Sequence, residues 1–231
     1  MRDADALNPK LLAVYRAVWP RLRSLVGQWP GISSPHLVVA PPSYSGARRR
    51  ILFVGQQTYT WGRNGDWCSN VSSLPDVLRL YRDFDLGHGR GGYPRKRSPF
   101  WQACWRISQS VSNSDDSFVW SNLVKLDLCG RRPPRELESF VAQFHLLKRE
   151  IRILRPDIVV FFTGHRYDDA LCLEFPRATF ERIGRTPASI LASVRADGLP
   201  RQTLRTYHPG YLRRSCNWWI VESLVRRLRA A

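Results

Sequence analysis

Four short apolar segments, separated by helical patterns, most constrain the fold of this chain. The segments are RRRILFVG, SFVWSNLVKL, DIVVFFTG and the weaker QTLRTY, and the first and third of them end in glycine. Runs of this length, rich in β-branched and other apolar residues, are typical of strands buried on both faces of a sheet. We therefore predict a central, mostly parallel, four-stranded sheet.

Amphipathic helical patterns alternate with these strands. The clearest lies in PPRELESFVAQFHLLKREIRILRP, and a second begins near Cys216. A third covers residues 8–29, where Pro20 should kink or restart the helix. Strands that alternate with helices predict an α/β protein, here a three-layer α/β/α sandwich. A Pro/Ser/Gly-rich connector follows the first helix, so we divide the chain into a helical extension at 1–45 and a main domain at 46–231.

Three segments that follow strands carry the polar side chains of interest. They are VGQQTYTWG, WSNLVKLDLCGRRPP and YHPGYLRR. Ligands of parallel sheets bind beyond the carboxyl ends of the strands, so chemistry is expected in these segments.

In this order and at these separations, the three segments resemble motifs of the uracil-DNA glycosylase superfamily. That family has a GQDPY-like loop after its first strand, an Asn-bearing strand end, and an HPS-type loop with an intercalating leucine. The segment LLKREIRILRPDIVVFFTG is similar to the family's helix that leads into a later strand. The resemblance runs from about Ile51 to the C-terminal helix and implies a uracil-DNA glycosylase-like fold, with 46–231 as the catalytic domain.

The resemblance implies a monofunctional DNA glycosylase that uses water as nucleophile, with no cofactor and no metal. His208 would donate a hydrogen bond to the base as it departs with negative charge. Asn122 would pair with the Watson–Crick edge of an extruded pyrimidine, and Gln57 would position the water. Trp61 or Trp67 could stack on that base. The implied base pocket comprises Gly55, Gln56, Tyr59, Trp67 and Asn122.

Two departures from the family pattern bear on the substrate. Gln57 stands where many members carry a carboxylate, and Thr58 stands where proline is common. A glutamine can position water but cannot act as a general base near neutral pH. Together with the Gly/Arg-rich loop at 87–97, this favours a modified pyrimidine. Some members of the superfamily that the chain resembles in this respect excise glucosylated hydroxymethylcytosine from phage DNA in anti-phage defence, and the resemblance implies such a substrate here. Uracil repair and a catalytically silent DNA-binding domain are the alternatives.

The charge of the chain indicates a polyanionic partner. It has 36 Lys+Arg against 19 Asp+Glu, a formal net charge of +17. Nucleic acid is the usual partner of so basic a protein, here DNA as a duplex with a flipped base or as a single strand. Tyr211 or Leu212 would fill the gap left by the flipped nucleotide. The predicted DNA-binding residues are Lys125, Arg95, Lys96, Arg97, Tyr211, Leu212, Arg213 and Arg214.

The cysteines and the hydropathy pattern exclude other classes. Five cysteines, an odd number with no CxxC pair, indicate neither a disulfide framework nor a zinc ribbon. No apolar run of membrane length and no signal-peptide pattern is present. We expect a monomer in a prokaryotic cytoplasm with no membrane contact.

Overall fold

A six-stranded mixed sheet forms the centre of the computed structural model, which describes residues 4–62, 73–87, 98–114 and 117–230. The strands are β1 (Ile51–Gln57), β2 (Phe118–Val124), β3 (Ile158–Phe161), β4 (Thr179–Arg182), β5 (Leu191–Arg195) and β6 (Gln202–Thr206). Their spatial order is β2-β1-β3-β6-β5-β4. Strands β2, β1, β3 and β6 are parallel, whereas β5 and β4 continue the sheet in antiparallel pairing.

The α/β class is therefore confirmed, but the four-stranded sheet is not. The four predicted strands are the parallel ones, and β4 and β5 extend that sheet at its β6 edge. β4 is short and largely exposed, so it lacks the continuous apolar run by which the buried strands were recognised.

Helices cover both faces of the sheet. They are α1 (Ala4–Gln28), α2 (Pro42–Ser45), α3 (Leu74–Phe84), α4 (Pro99–Ser112), α5 (Arg135–Ala142), α6 (Leu146–Leu154), α7 (Asp168–Glu174), α8 (Pro209–Arg214) and α9 (Trp219–Ala230). Pro20 lies within α1, which does not restart there. The segment predicted as one long amphipathic helix forms α5 and α6, because His145 between them adopts a left-handed backbone with φ of 46°.

Alternate residues of β1 contribute to two separate hydrophobic clusters. Leu52 and Val54 pack in the cluster that contains the apolar residues of α1 and α6. Ile51 and Phe53 pack in the cluster formed with α4 and α9. Because successive side chains of a strand point to opposite faces, these clusters place one helical layer on each side of the sheet.

A buried polar network ties α1 to the sheet. Lys125 Nζ lies 2.5 Å from Glu150 Oε2, which also accepts a hydrogen bond from Ser121 Oγ at 3.0 Å. Tyr15 of α1 donates to the other carboxylate oxygen of Glu150 at 3.0 Å. The prediction that Lys125 contacts DNA phosphate is therefore wrong, because its side chain is buried in this ion pair. The division of the chain at residue 45 stays a prediction, and α1 shares the core of the sheet.

Candidate functional site

A cavity of about 550 Å³ opens at the carboxyl ends of β1 and β2. Polar groups from the strand ends form one part of its lining, and aromatic side chains form most of the rest. This combination is typical of small-molecule sites, where a few polar groups orient a ligand held by apolar walls. The lining residues are Gly55, Gln56, Gln57, Thr58, Tyr59, Trp61, Phe84, Ser98, Phe100, Trp101, Trp120, Asn122 and His208.

Asn122 is held against β1 by a glycine. Gly55 and Asn122 are paired in the parallel register of β1 and β2, and a Cβ built on Gly55 would lie 2.4 Å from Asn122 Oδ1. Only glycine therefore leaves room for this carboxamide. Asn122 is 3% exposed, and its carboxamide makes no hydrogen bond to another described residue. The amide atoms are not among the buried polar atoms without a partner, so they are accessible from the cavity, and the donors and acceptor are available to a ligand there.

His208 is fixed in one orientation and kept neutral. Its Nδ1 accepts a hydrogen bond from the Gly210 N–H at 3.1 Å and caps α8. The neutral ring therefore carries its proton on Nε2. Phe100 stacks on the imidazole, with ring centroids 5.5 Å apart. Burial, and secondarily the charge of Arg214, lowers the pKa of His208 to about 4. The ring thus brings an uncharged N–H donor to the cavity lining near neutral pH.

Gln57 is oriented by a tyrosine from beyond β3. The Tyr167 hydroxyl donates to Gln57 Oε1, and burial raises the pKa of Tyr167 to about 12, so the hydroxyl stays protonated. The Arg132 guanidinium lies 4.4 Å from the centroid of the Tyr167 ring. Because the carbonyl of Gln57 is engaged by Tyr167, its NH₂ group is the part available to a ligand. The NH₂ group can donate hydrogen bonds but cannot accept a proton.

Neighbouring polar residues fix the loop after β1. Gln56 Nε2 donates to the carbonyl of Thr163 at 2.9 Å, which joins the ends of β1 and β3. Thr58, where the resemblance expects proline, is buried and donates to Asp127 Oδ2 at 2.6 Å. The loop is therefore anchored by side-chain hydrogen bonds rather than by a proline ring.

An aromatic wall closes the opposite side of the cavity. Trp120 lies at its centre, with ring centroids 5.2 Å from Trp101, 5.3 Å from Phe84 and 5.5 Å from Trp61. His36 packs behind it, 4.2 Å from Trp120, with neither ring nitrogen hydrogen-bonded. Sequence reasoning named Trp61 but missed the other members, because they come from three elements distant in the chain.

The remaining predicted site residues fall into four groups. Tyr59 lines the rim of the cavity with 81% of its surface exposed, so its ring does not enclose a base. Tyr211, Arg213 and Arg214 are exposed on α8, directly after His208. Leu212 is wholly buried in the core, so the prediction that it could enter a duplex is wrong. The predicted residues outside the described parts of the chain are Trp67, Arg95, Lys96 and Arg97.

Neither a protein-family model nor a curated protein matches this chain. Within the described ranges, no group of three or more His, Cys, Asp or Glu side chains could hold a metal ion, and no helix is long and apolar enough to cross a membrane.

Proposed function

We propose that this protein is a monofunctional DNA glycosylase that receives an extruded pyrimidine in the cavity and hydrolyses its N-glycosidic bond. The observation that carries the proposal is that Asn122 and His208 line the same cavity. The first is a buried carboxamide with no hydrogen-bonding partner among the described residues, and the second is a neutral imidazole with Nε2–H as its donor. The order of the motifs, which resembles that of the uracil-DNA glycosylase superfamily, adds support.

The proposed chemistry depends on stabilising the departing base. As the glycosidic bond breaks, the sugar gains oxocarbenium character and the base gains negative charge, which a prepositioned donor stabilises. His208 provides that donor without transferring its proton, because its low pKa keeps it neutral before the reaction begins. Asn122 pairs with the edge of the base and holds it in the reactive position.

Gln57 would place the attacking water by donating from its NH₂ group. Its carbonyl is engaged by Tyr167, and an amide has no basic site near neutral pH. The water is therefore positioned rather than deprotonated before attack. The N-glycosidic bond must then be largely broken before the water attacks, as in a mostly dissociative reaction.

The volume of the cavity favours a pyrimidine with a substituent. A space of about 550 Å³ lies within the range that accommodates drug-sized ligands, which are larger than a bare pyrimidine. We therefore propose a modified pyrimidine, such as glucosylated hydroxymethylcytosine of phage DNA, as substrate, with anti-phage defence as the role. Excision of uracil in base excision repair is the alternative enzymatic function. A silent DNA-binding domain is a third candidate, favoured by the absence of a carboxylate at position 57.

A panel of duplexes tests the proposal. The full chain is incubated with otherwise identical oligonucleotides that contain cytosine, uracil, hydroxymethylcytosine or glucosylated hydroxymethylcytosine, and hot alkali then cleaves abasic sites. We expect cleavage at the glucosylated base and none at cytosine. Cleavage at uracil alone would establish the repair alternative. No cleavage on any duplex, with DNA binding intact, would establish the silent binder.

A further inference from the structure

A second concave surface lies between the β4–β5 hairpin and α9. This arginine groove has a volume of about 920 Å³. No aspartate or glutamate is among the described residues that line it. Five exposed arginines line the groove, namely Arg185, Arg195, Arg201, Arg226 and Arg227.

Most of this positive charge is not compensated within the protein. Among described residues, the side chains of Arg185, Arg201 and Arg227 have neither a hydrogen bond nor an ion pair. Arg195 lies 3.7 Å from the exposed Glu181, and exposed pairs of this kind contribute little. Arg226 donates to a neutral partner, Ser223 Oγ, at 3.0 Å. Several guanidinium groups therefore face solvent together, which repels cations and attracts a ligand with repeated negative charge.

The dimensions of the groove suit an extended polyanion. Leu191 and Arg195, at opposite ends of β5, both line it. Four residues of strand span about 13 Å at about 3.3 Å per residue. A duplex of this axial length carries about four phosphates on each strand, so the groove is long enough to face more than one of them. Guanidinium groups bind phosphate oxygens through two parallel hydrogen bonds.

The groove is separate from the cavity that contains Asn122 and His208. The two share no lining residue. Arg201 and Gln202 lie at the amino end of β6, whereas His208 follows its carboxyl end. Contacts in the groove therefore act on DNA outside the nucleotide that the cavity would receive.

We propose that the arginine groove is a second DNA-binding site, which holds the phosphodiester backbone of duplex DNA independently of base sequence. The proposal rests on the proposed function only in naming DNA as the polyanion. Such a site keeps the protein on unmodified DNA between the bases that it excises, and it gives binding its salt dependence.

Salt-dependent binding of a duplex without a target base tests the groove. The full chain is titrated into a fluorescein-labelled 30-base-pair duplex of unmodified DNA, and anisotropy is measured from 50 to 200 mM NaCl. The test variant combines Arg185→Gln, Arg201→Gln and Arg227→Gln. The matched control combines Arg16→Gln, Arg149→Gln and Arg152→Gln, which removes the same charge from exposed positions on α1 and α6 in the other helical layer.

The two triple variants should differ. Each lost phosphate contact lowers the slope of log affinity against log salt by about 0.9, so the groove variant should lose about 2.7 from the slope. The control variant should keep the wild-type slope. Equal slopes in the groove variant and the wild type would overturn the proposal. An equal decrease of the slope in both triple variants would also overturn it, because net charge alone would then explain the salt dependence. If the groove variant loses binding to phosphatidylserine vesicles but keeps its DNA slope, the groove is a membrane site and the proposal is wrong.

This binding measurement is independent of excision. None of the three substituted groove residues lines the cavity, so we expect the rate of base excision at saturating protein to be unchanged in the groove variant. A protein that bound DNA through the groove but excised nothing would refute the proposed function and leave the groove assignment standing.

Discussion

Replacement of His208 removes the donor on which the proposed chemistry most depends. In His208→Ala, the Nε2–H no longer reaches the cavity, while Asn122 and the aromatic wall remain. Loss of one prepositioned donor to a developing negative charge typically costs about 2.7–4 kcal/mol, which lowers the rate on the order of a hundred- to a thousandfold. Binding to DNA should persist, because the exposed arginines are untouched.

The same substitution also removes a helix cap, so a second variant is needed. Nδ1 of His208 accepts from the Gly210 N–H, and loss of an N-cap costs about 0.5–2 kcal/mol of stability. His208→Asn restores a good cap but cannot place a donor where Nε2 lies. We expect both variants to lose excision in a single-turnover assay and only His208→Ala to lose stability. The exposed His165, outside the cavity lining, supplies the control variant His165→Ala, which should excise normally.

The pH dependence distinguishes this neutral donor from an ordinary histidine. With its pKa lowered to about 4, His208 stays neutral throughout the range from pH 5 to 8, so the single-turnover rate should be flat there. The unfolded chain binds a proton at this position near pH 6.5 and the folded chain only near pH 4. The histidine therefore lowers the free energy of unfolding by about 3 kcal/mol as the pH falls through that window, an effect absent in His208→Asn. A rate that drops with a midpoint near pH 6.5, or His208→Asn with the full rate, would refute the reasoning.

Substitutions at three further positions have defined outcomes. Gly55→Ala places a Cβ 2.4 Å from Asn122 Oδ1 and should lower the single-turnover rate at least tenfold with little change in melting temperature; an unchanged rate would remove Asn122 from base binding. Gln57→Ala should slow excision without abolishing it, and Gln57→Asp should preserve or raise the rate by stabilising positive charge on the sugar; full activity in Gln57→Ala would mean that the residue does not place the water. Burial raises the pKa of Glu174 to about 7, so the wild type loses stability as the pH rises from 4.5 to 7. In urea unfolding, the free energy of unfolding of Glu174→Gln should therefore rise by about 3 kcal/mol relative to that of the wild type between pH 5 and 8. A difference in unfolding free energy that stays constant across this range would contradict the prediction.

The parallel half of the sheet was predictable because its strands are buried on both faces. Strands such as Ile158–Phe161 are unbroken apolar runs, and such a run can be recognised from the local sequence alone. Of the two antiparallel strands, Thr179–Arg182 was not predictable in this way, because it is mostly exposed and polar. The break between α5 and α6 was also invisible, since His145 carries none of the glycine or proline signals that mark a helix end.

The polar part of the candidate site was predictable because Gln57 and Asn122 lie in the carboxyl-terminal halves of β1 and β2, and His208 caps the helix that follows β6. Strand ends of a parallel sheet meet at one edge, so Gln57 and Asn122 had to lie close together. The burial of individual side chains could not be predicted from the local sequence. Lys125 follows Asn122 by three residues and Leu212 follows His208 by four, but Lys125 is paired with Glu150 and Leu212 lies in the core. Both depend on contacts with residues far away in the sequence.

Mass spectrometry of the products tests the central proposal, cleavage of the N-glycosidic bond, most directly. Phage-type DNA that contains glucosylated hydroxymethylcytosine is incubated with the wild type and with His208→Asn, and the released small molecules and the abasic sites in the polymer are both quantified. We expect the wild type to release the intact glucosylated base in an amount equal to the abasic sites, and His208→Asn to release at most about a hundredth as much per unit time. Release of free glucose with no abasic sites would place the cleavage at a different bond and contradict the proposal, as would equal release by the two proteins.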